Sequence, residues 1–196
     1  ASLDKSIKQW NLDTAICEKT FLGHTDAIRS ICTSVGGTYI VSGGDDQSIR
    51  IWNIELGCEE IIFEGHTNAI YQVCFDSETQ YVISCSKDET IRTWNLINGQ
   101  EDDILYGHQN SVKCVAITQD NHQIVSGSKD QTIRIWRFNR YERFSEIEGH
   151  DNAIADISLT PDNKYVISAS LDHTIRIWNI DTLAEEKILK GHTNCL

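Results

Sequence analysis

Apolar and polar residues alternate along this chain in short runs, and no stretch keeps a helical period long enough to form an amphipathic helix that could cover a sheet. Between His66 and Glu101 the runs at residues 69–75, 81–85 and 90–96 mix β-branched and aromatic side chains with polar ones. A weaker run covers 103–106, and polar turns of two to five residues separate the four. This pattern predicts four short antiparallel strands forming one twisted sheet.

The same pattern recurs. Trp10, Trp52, Trp94, Trp136 and Trp178 are spaced by 42 residues, and the pairs Gly23-His24, Gly65-His66, Gly107-His108, Gly149-His150 and Gly191-His192 keep that interval. Asp4, Asp46, Asp88, Asp130 and Asp172 keep it too, without an insertion. In the third strand Ile49 and Ile51 fall on one side, Arg50 and Trp52 on the other, so both faces of a unit carry apolar bulk. Only stacking of successive units buries both. The expected organisation is a partial unit (third and fourth strands) at 1–22, complete units at 23–64, 65–106, 107–148 and 149–190, and the start of another at 191–196.

Charge adds a polarity to each unit. The 17 basic and 29 acidic residues leave a net charge of −12. Inner strands such as residues 28–33 and 112–117 lack acid, whereas the outer strands carry Glu59, Glu60, Glu64, Glu101, Asp102, Asp103, Glu142, Glu146, Glu148, Glu185 and Glu186. On exposed edges, like charge discourages edge-to-edge pairing. An acidic body disfavours nucleic acid and anionic membrane as direct partners. No apolar run approaches the 18 residues of a membrane span, and no signal-peptide pattern opens the chain. The seven cysteines form no C-x-x-C and lie mostly among strand residues, as small buried hydrophobes of a reducing, intracellular compartment, cytoplasmic in preference to nuclear.

Each complete unit presents His, then Asp 22 residues on, then Trp six residues later: His24, Asp46, Trp52; His66, Asp88, Trp94; His108, Asp130, Trp136; His150, Asp172, Trp178. Ser86, Ser128 and Ser170, two residues before the aspartate, complete three sets and invite a hydrolase reading. A nucleophile is unique and exposed, whereas these groups recur in every unit. The expectation is a satisfied polar network pinning the turn after the second strand to the incoming loop, with no catalytic residue. The histidines lie too far apart in sequence, without thiolates at ligand spacing, to predict zinc, and no cofactor or metal is expected.

The stretches 44–53, 86–95, 128–137 and 170–179, each some two dozen residues after a Gly-His pair, resemble the WD-repeat family of β-propellers, as does the half-unit at 2–11. The resemblance implies an all-β propeller of four complete four-stranded blades plus partial terminal units. It also implies that the His, Ser, Asp and Trp of each set form the family's structural tetrad. Two departures stand out. Gly44 replaces the serine, leaving the first network incomplete or borrowing Ser42, and the family's Trp-Asp becomes Trp followed by Asn11, Asn53, Asn95, Asn179 or Arg137. A seven-bladed member would need about 294 residues at this period, so the sequence is expected to be a piece of a longer protein and an incomplete ring, able to self-associate through uncovered blade faces.

Function is then expected where the repeat varies. The residues flanking the turn aspartate and those five after the histidine change from unit to unit, and the resemblance implies that such rim positions bind peptides or partner domains. Arg29, Tyr71, Lys87, Lys113, Lys129 and His173 are the candidates, a basic and aromatic patch suited to an acidic or extended peptide. The repeated Arg50, Arg92, Arg134 and Arg176, with Lys8 completing the series, are expected to pack beside the tryptophans and pair near the acidic turns. The leading function is a non-enzymatic protein-interaction scaffold. The alternative is an accessory or regulatory propeller of a larger signalling enzyme, a kinase, a nucleotide-dependent ATPase or a ubiquitin-ligase complex.

Overall fold

The computed structural model describes residues 1–138 and 144–193. Glu142 and one of the seven cysteines, Cys195, lie outside the described residues. The chain opens with a two-stranded sheet, β1 (Ser6–Trp10) and β2 (Cys17–Leu22). Four antiparallel meanders follow. The first sheet holds β3 (Ile28–Thr33), β4 (Tyr39–Gly44), β5 (Ile49–Asn53) and β6 (Cys58–Phe63). The second holds β7 (Ile70–Phe75), β8 (Tyr81–Ser86), β9 (Ile91–Asn95) and β10 (Gln100–Leu105). The third holds β11 (Val112–Ile117), β12 (Gln123–Ser128), β13 (Ile133–Arg137) and β14 (Ser145–Ile147). The fourth holds β15 (Ile154–Leu159), β16 (Tyr165–Ser170), β17 (Thr174–Asn179) and β18 (Glu185–Lys190). The fold is all-β, with four complete propeller blades and a smaller terminal sheet.

The outer strand of the second sheet starts at Gln100, three residues before the run the sequence predicts, because Gln100, Glu101 and Asp102 are exposed and show no apolar alternation. The core lies between sheets. Val41, Ile49, Ile51 and Phe63 of the first sheet meet Ile70, Val73, Val82 and Trp94 of the second in one cluster. Equivalent clusters join the second to the third, the third to the fourth, and the two-stranded sheet to the first. The Trp of each complete blade leans on the preceding sheet, Trp94 on Phe63 at 5.2 Å and Trp52 on Phe21 at 5.9 Å between ring centroids. Two apolar faces have no covering sheet among the described residues: on the two-stranded sheet Trp10 is 53 % exposed, against 2 % for its counterpart Trp52, and the other is the outer face of the fourth sheet. Ile167, Ala169 and Ile175 of the fourth sheet are half-exposed, whereas their counterparts Ile83, Cys85 and Ile91 are fully buried (0 % exposed).

The cysteines divide. Cys85 and Cys114 are buried and burial pushes their thiols up, Cys17, Cys32 and Cys74 are half-buried, and Cys58, contrary to the sequence expectation, is exposed on an outer strand.

Candidate functional site

Two structural devices set the end of each blade where the second strand turns into the third. The residue after the turn aspartate takes a left-handed conformation (φ 66° at Gln47, 71° at Glu89, 77° at Gln131 and 68° at His173), which tightens the turn. The aspartate then works with both oxygens. In the third blade one oxygen of Asp130 accepts the Thr132 N–H (3.0 Å) and hydroxyl (2.7 Å), the other His108 Nδ1–H (2.8 Å) and the Gln109 N–H (3.0 Å). With its proton on Nδ1, His108 accepts at Nε2 from the Ser126 hydroxyl (2.8 Å), whose oxygen accepts from Trp136 Nε1–H (2.8 Å). The same chain runs His24, Asp46, Ser42, Trp52; His66, Asp88, Ser84, Trp94; and His150, Asp172, Ser168, Trp178, with Asp–His, His–Ser and Trp–Ser distances of 2.7–2.8 Å.

The serine of each network is therefore four residues before the aspartate, and the assignment of Ser86, Ser128 and Ser170 is corrected. Both positions point to the same side of the second strand, but the ladder pairs Ser84 with Arg92 and Val82 with Trp94, which puts Ser84 under the indole. Ser86 sits at the strand's end, where its hydroxyl donates toward the carbonyls of Asn68 and Ala69 (both 3.0 Å) and accepts the Asp88 N–H (3.1 Å). Ser128 and Ser170 do the same in their blades. The first network is complete through Ser42, and Gly44 lets the Ala27 carbonyl come so close that a Cβ would lie 2.4 Å from its oxygen.

Ser42, Ser84, Ser126 and Ser168 are all 0 % exposed, out of reach of any substrate. Burial alone would push the aspartates up, but the bonds from histidine, hydroxyl and backbone N–H outweigh it and hold Asp46, Asp88, Asp130 and Asp172 well below the usual carboxylate range. Burial pushes His150 below its ordinary value of 6.5 against the pull of Asp172. A depressed group stabilises the fold above its unfolded pKa and loses that contribution as pH falls through the folded one. Stability is therefore expected to fall as pH drops below 6.5, from His150, and again below 3.8, from the four aspartates. Urea midpoints from pH 7.5 to 3 check this, and a midpoint that rises on acidification contradicts it.

The repeated arginines pair on the outer strand rather than chiefly near the turns. Arg50 binds Glu59 and Arg92 binds Glu101, while Arg134 meets Glu146 at 2.6 Å and Arg176 meets Glu185 at 2.7 Å. Among the described residues Arg176 alone also reaches a turn carboxylate, Asp172, at 3.8 Å. It lies 5.9 Å above the Trp178 ring, and Arg134 lies 4.2 Å above Phe144. Lys8, in the two-stranded sheet, is exposed. These arginines crowd the glycine of three Gly-His pairs, since a Cβ at Gly23 or Gly65 would lie 2.8 Å and one at Gly107 2.3 Å from a guanidinium nitrogen; at Gly149 the Trp178 ring comes closer, at 2.6 Å, and at Gly191 nothing lies within 4 Å.

Three of the rim candidates sit on bulges and three in the turns beside them. The first two strands of every complete blade slip register between 28 and 30, 70 and 72, 112 and 114, and 154 and 156, which leaves Arg29, Tyr71, Lys113 and Ala155 outside the ladder. Lys113 Nζ lies 3.6 Å from the centroid of the Tyr71 ring, across a blade boundary. Lys87 and Lys129 are exposed, each tied through its own N–H to the strand carrying Tyr71 or Lys113 by a bond to Ala69 or Ser111 (2.9 Å). Arg29 is held in a fork by Asp45 (2.8 and 2.6 Å), a partner the sequence reading missed although Asp45 precedes the turn aspartate. That fork, aided by Lys87, holds Asp45 below its ordinary range. His173 is half-buried in the fourth blade's turn, its Nδ1 without a hydrogen-bond partner, and no contact joins it to the other five.

The family model "WD domain, G-beta repeat" matches residues 15–53, 57–95, 99–137 and 142–179. The chain belongs to the WD40-repeat family. It is similar to the nuclear distribution protein PAC1 of Coccidioides posadasii (46% identical) and of Arthroderma otae (44%), and to nuclear distribution protein PAC1-2 of Uncinocarpus reesii (41%). Each match covers 46 residues, 24% of this chain and 10% of the relative, so the matched part spans about a tenth of those proteins' length.

Within the WD40 repeats, asparagine in place of the aspartate after Trp follows from the turn it begins. The Asn53 side-chain oxygen accepts the Leu56 N–H, Asn95 those of Ile97 and Asn98, and Asn179 those of Asp181 and Thr182 (2.9–3.2 Å). The amide nitrogen of Asn53 donates to Glu60 (2.7 Å) and that of Asn95 to the Tyr81 hydroxyl (3.3 Å), which a carboxylate could not do. Among the described residues no cluster of His, Cys, Asp and Glu is arranged to hold a metal ion, and no helix is long and apolar enough to cross a membrane.

Proposed function

We propose that this chain is a non-enzymatic interaction platform whose bulge-bearing rim takes an acidic, extended peptide of a partner protein. WD40 repeats in general serve protein–protein interaction, and the four interchangeable networks supply rigidity. The observation that carries the reading is the pair Lys113–Tyr71 flanked by exposed Lys87 and Lys129, a cationic and aromatic surface on a chain of net charge −12. An aromatic face beside cations that hold no carboxylate fits a partner supplying acid and apolar contact together. Arg29 contributes less, because Asp45 already occupies its fork.

The same reading places the chain inside the cell, in the cytoplasm in preference to the nucleus, as part of a longer, seven-bladed protein; an accessory role beside a signalling enzyme is the second reading. The half-exposed apolar face of the fourth blade supports self-association as a further mode, which sedimentation velocity over a concentration series reads. Replacing Lys87 and Lys129 together by Glu is expected to weaken a fluorescein-labelled Glu- and Phe-containing peptide at least tenfold at 0.15 M salt, with the thermal midpoint unchanged. Equal affinity of the parent and the double variant removes the rim proposal.

A further inference from the structure

The opposite end of the molecule has a different chemistry, and the repeats themselves are its control. Strands run alternately, so the first-to-second and third-to-fourth strand turns of every blade lie at the end away from the networks and from Lys87, Lys113 and Lys129. At this end Val35 is 79 % exposed, Leu56 70 % and Ile97 77 %. No sister turn asks for an aliphatic there. The counterparts of Val35 are Ser77, Gln119 and Pro161, those of Leu56 are Thr14, Asn98 and Thr182, and those of Ile97 are Asp13, Glu55 and Asp181.

The backbone of each turn is held without these side chains. The Gly37 N–H binds the Ser34 carbonyl (2.9 Å), and the N–H groups of Leu56 and Ile97 bind Asn53 and Asn95 (both 2.9 Å). All three fall in two neighbouring blades. By the general strand spacing, Val35 and Leu56, two strands apart in one sheet, are separated by about 10 Å, and Ile97 lies at the equivalent turn of the next blade. The charge around them is acidic, with Asp13, Glu55 and Glu78 exposed. The cation of this sector, Lys19, is turned inward onto the carbonyls of Ile54 (2.6 Å) and Glu55 (2.7 Å).

We propose that the turn end of the first and second blades is a second docking surface, and that its occupant is a basic amphipathic segment of a partner protein. Aliphatic anchors about 10 Å apart match apolar side chains two helical turns apart, and the surrounding carboxylates match lysines or arginines on the flanks of that segment. The platform then has two ends of opposite charge preference, one for an acidic partner and one for a basic one. This surface does not depend on the rim reading, because it shares no residue with it.

The probe is a labelled amphipathic peptide of Leu and Lys, compared with the same peptide carrying Ser for Leu and with one carrying Glu for Lys. Val35→Ser, Leu56→Thr and Ile97→Asp combined give each turn a residue that sister turns already carry. The combined variant is expected to bind the Leu/Lys peptide at least tenfold more weakly, whereas Lys87→Glu with Lys129→Glu leaves this affinity unchanged. Equal binding by the combined variant, or by the Ser peptide to the parent, overturns the proposal. Photo-crosslinking of the Leu/Lys peptide to the parent chain tests the same point without a variant. Crosslinks are expected at 34–38, 53–57 and 95–99, and crosslinks confined to the open face of the fourth blade overturn the proposal.

Discussion

Replacing Asp130 by Ala is expected to lower the unfolding free energy by roughly 2–4 kcal/mol, read as a shift of the urea midpoint. The two oxygens of Asp130 accept from His108 Nδ1, the Gln109 N–H, the Thr132 N–H and the Thr132 hydroxyl, and truncation leaves these donors facing a small void. His108 is only 5 % exposed and is held by the carboxylate in the tautomer that lets Nε2 accept from Ser126. The loss therefore propagates to Trp136. Asp130→Asn keeps the volume but offers an N–H₂ to one side of the turn, so it recovers part of the loss and not all of it. The network also separates two serines that the sequence does not distinguish. Ser126→Ala strands His108 and Trp136 at once, whereas Ser128→Ala removes a hydroxyl whose carbonyl acceptors at Asn110 and Ser111 lie at the blade's end. The first is expected to cost about 2 kcal/mol and the second about 1. An unchanged midpoint for Asp130→Ala, or a larger loss for Ser128→Ala than for Ser126→Ala, contradicts the network described.

Those serines show where sequence reasoning stops. Trp, His and Asp are legible because each must recur at one place per blade, so the 42-residue interval alone exposes them. Ser84 and Ser86 lie on the same face of one strand, so alternation does not choose between them, and the reading from sequence takes Ser86; only the register against Trp94 tells them apart. The arginine partners were hidden for another reason. Glu59, Glu101 and Glu185 follow their arginines by nine residues, but Glu146 follows Arg134 by twelve, so the series breaks at the blade whose outer strand is shortest. Outer strands themselves are faint because only one edge is paired and their exposed residues need no apolar alternation. The Arg29 fork was invisible because a bulge moves the residue off the ladder, and no periodic pattern says where a bulged side chain lands.

Packing between blades was legible as a need but not as a fit, and the fit makes the second large prediction. Position 43 of the first blade is Gly, and its counterparts are Cys85, Gly127 and Ala169. A Cβ on Gly43 would lie 2.7 Å from Ile70 Cγ2, and one on Gly127 would lie 2.5 Å from Ile154 Cγ2. Where the second blade carries Cys85 instead, the facing inner strand of the third supplies Val112, one methylene smaller, and the two share a core cluster. Size on one side thus compensates size on the other. Gly127→Ala is expected to cost about 1–3 kcal/mol by overpacking, because Ile154 is β-branched and held by its strand, while the second close atom, Cys114 Sγ at 2.7 Å, can rotate away. Ile154→Val alone costs about 0.5–1.5 kcal/mol through the lost methylene. Joined in one chain they reproduce the small complementarity of Cys85 against Val112, so the double variant is expected to be more stable than the sum of the two losses by about 1 kcal/mol. Hydrogen exchange places the effect, with faster exchange in β11, β12, β15 and β16 for Gly127→Ala and no change in β3 to β6, since each blade contacts only its neighbours. Strictly additive losses would mean that the glycine is set by its own strand's backbone and not by the blade that stacks on it.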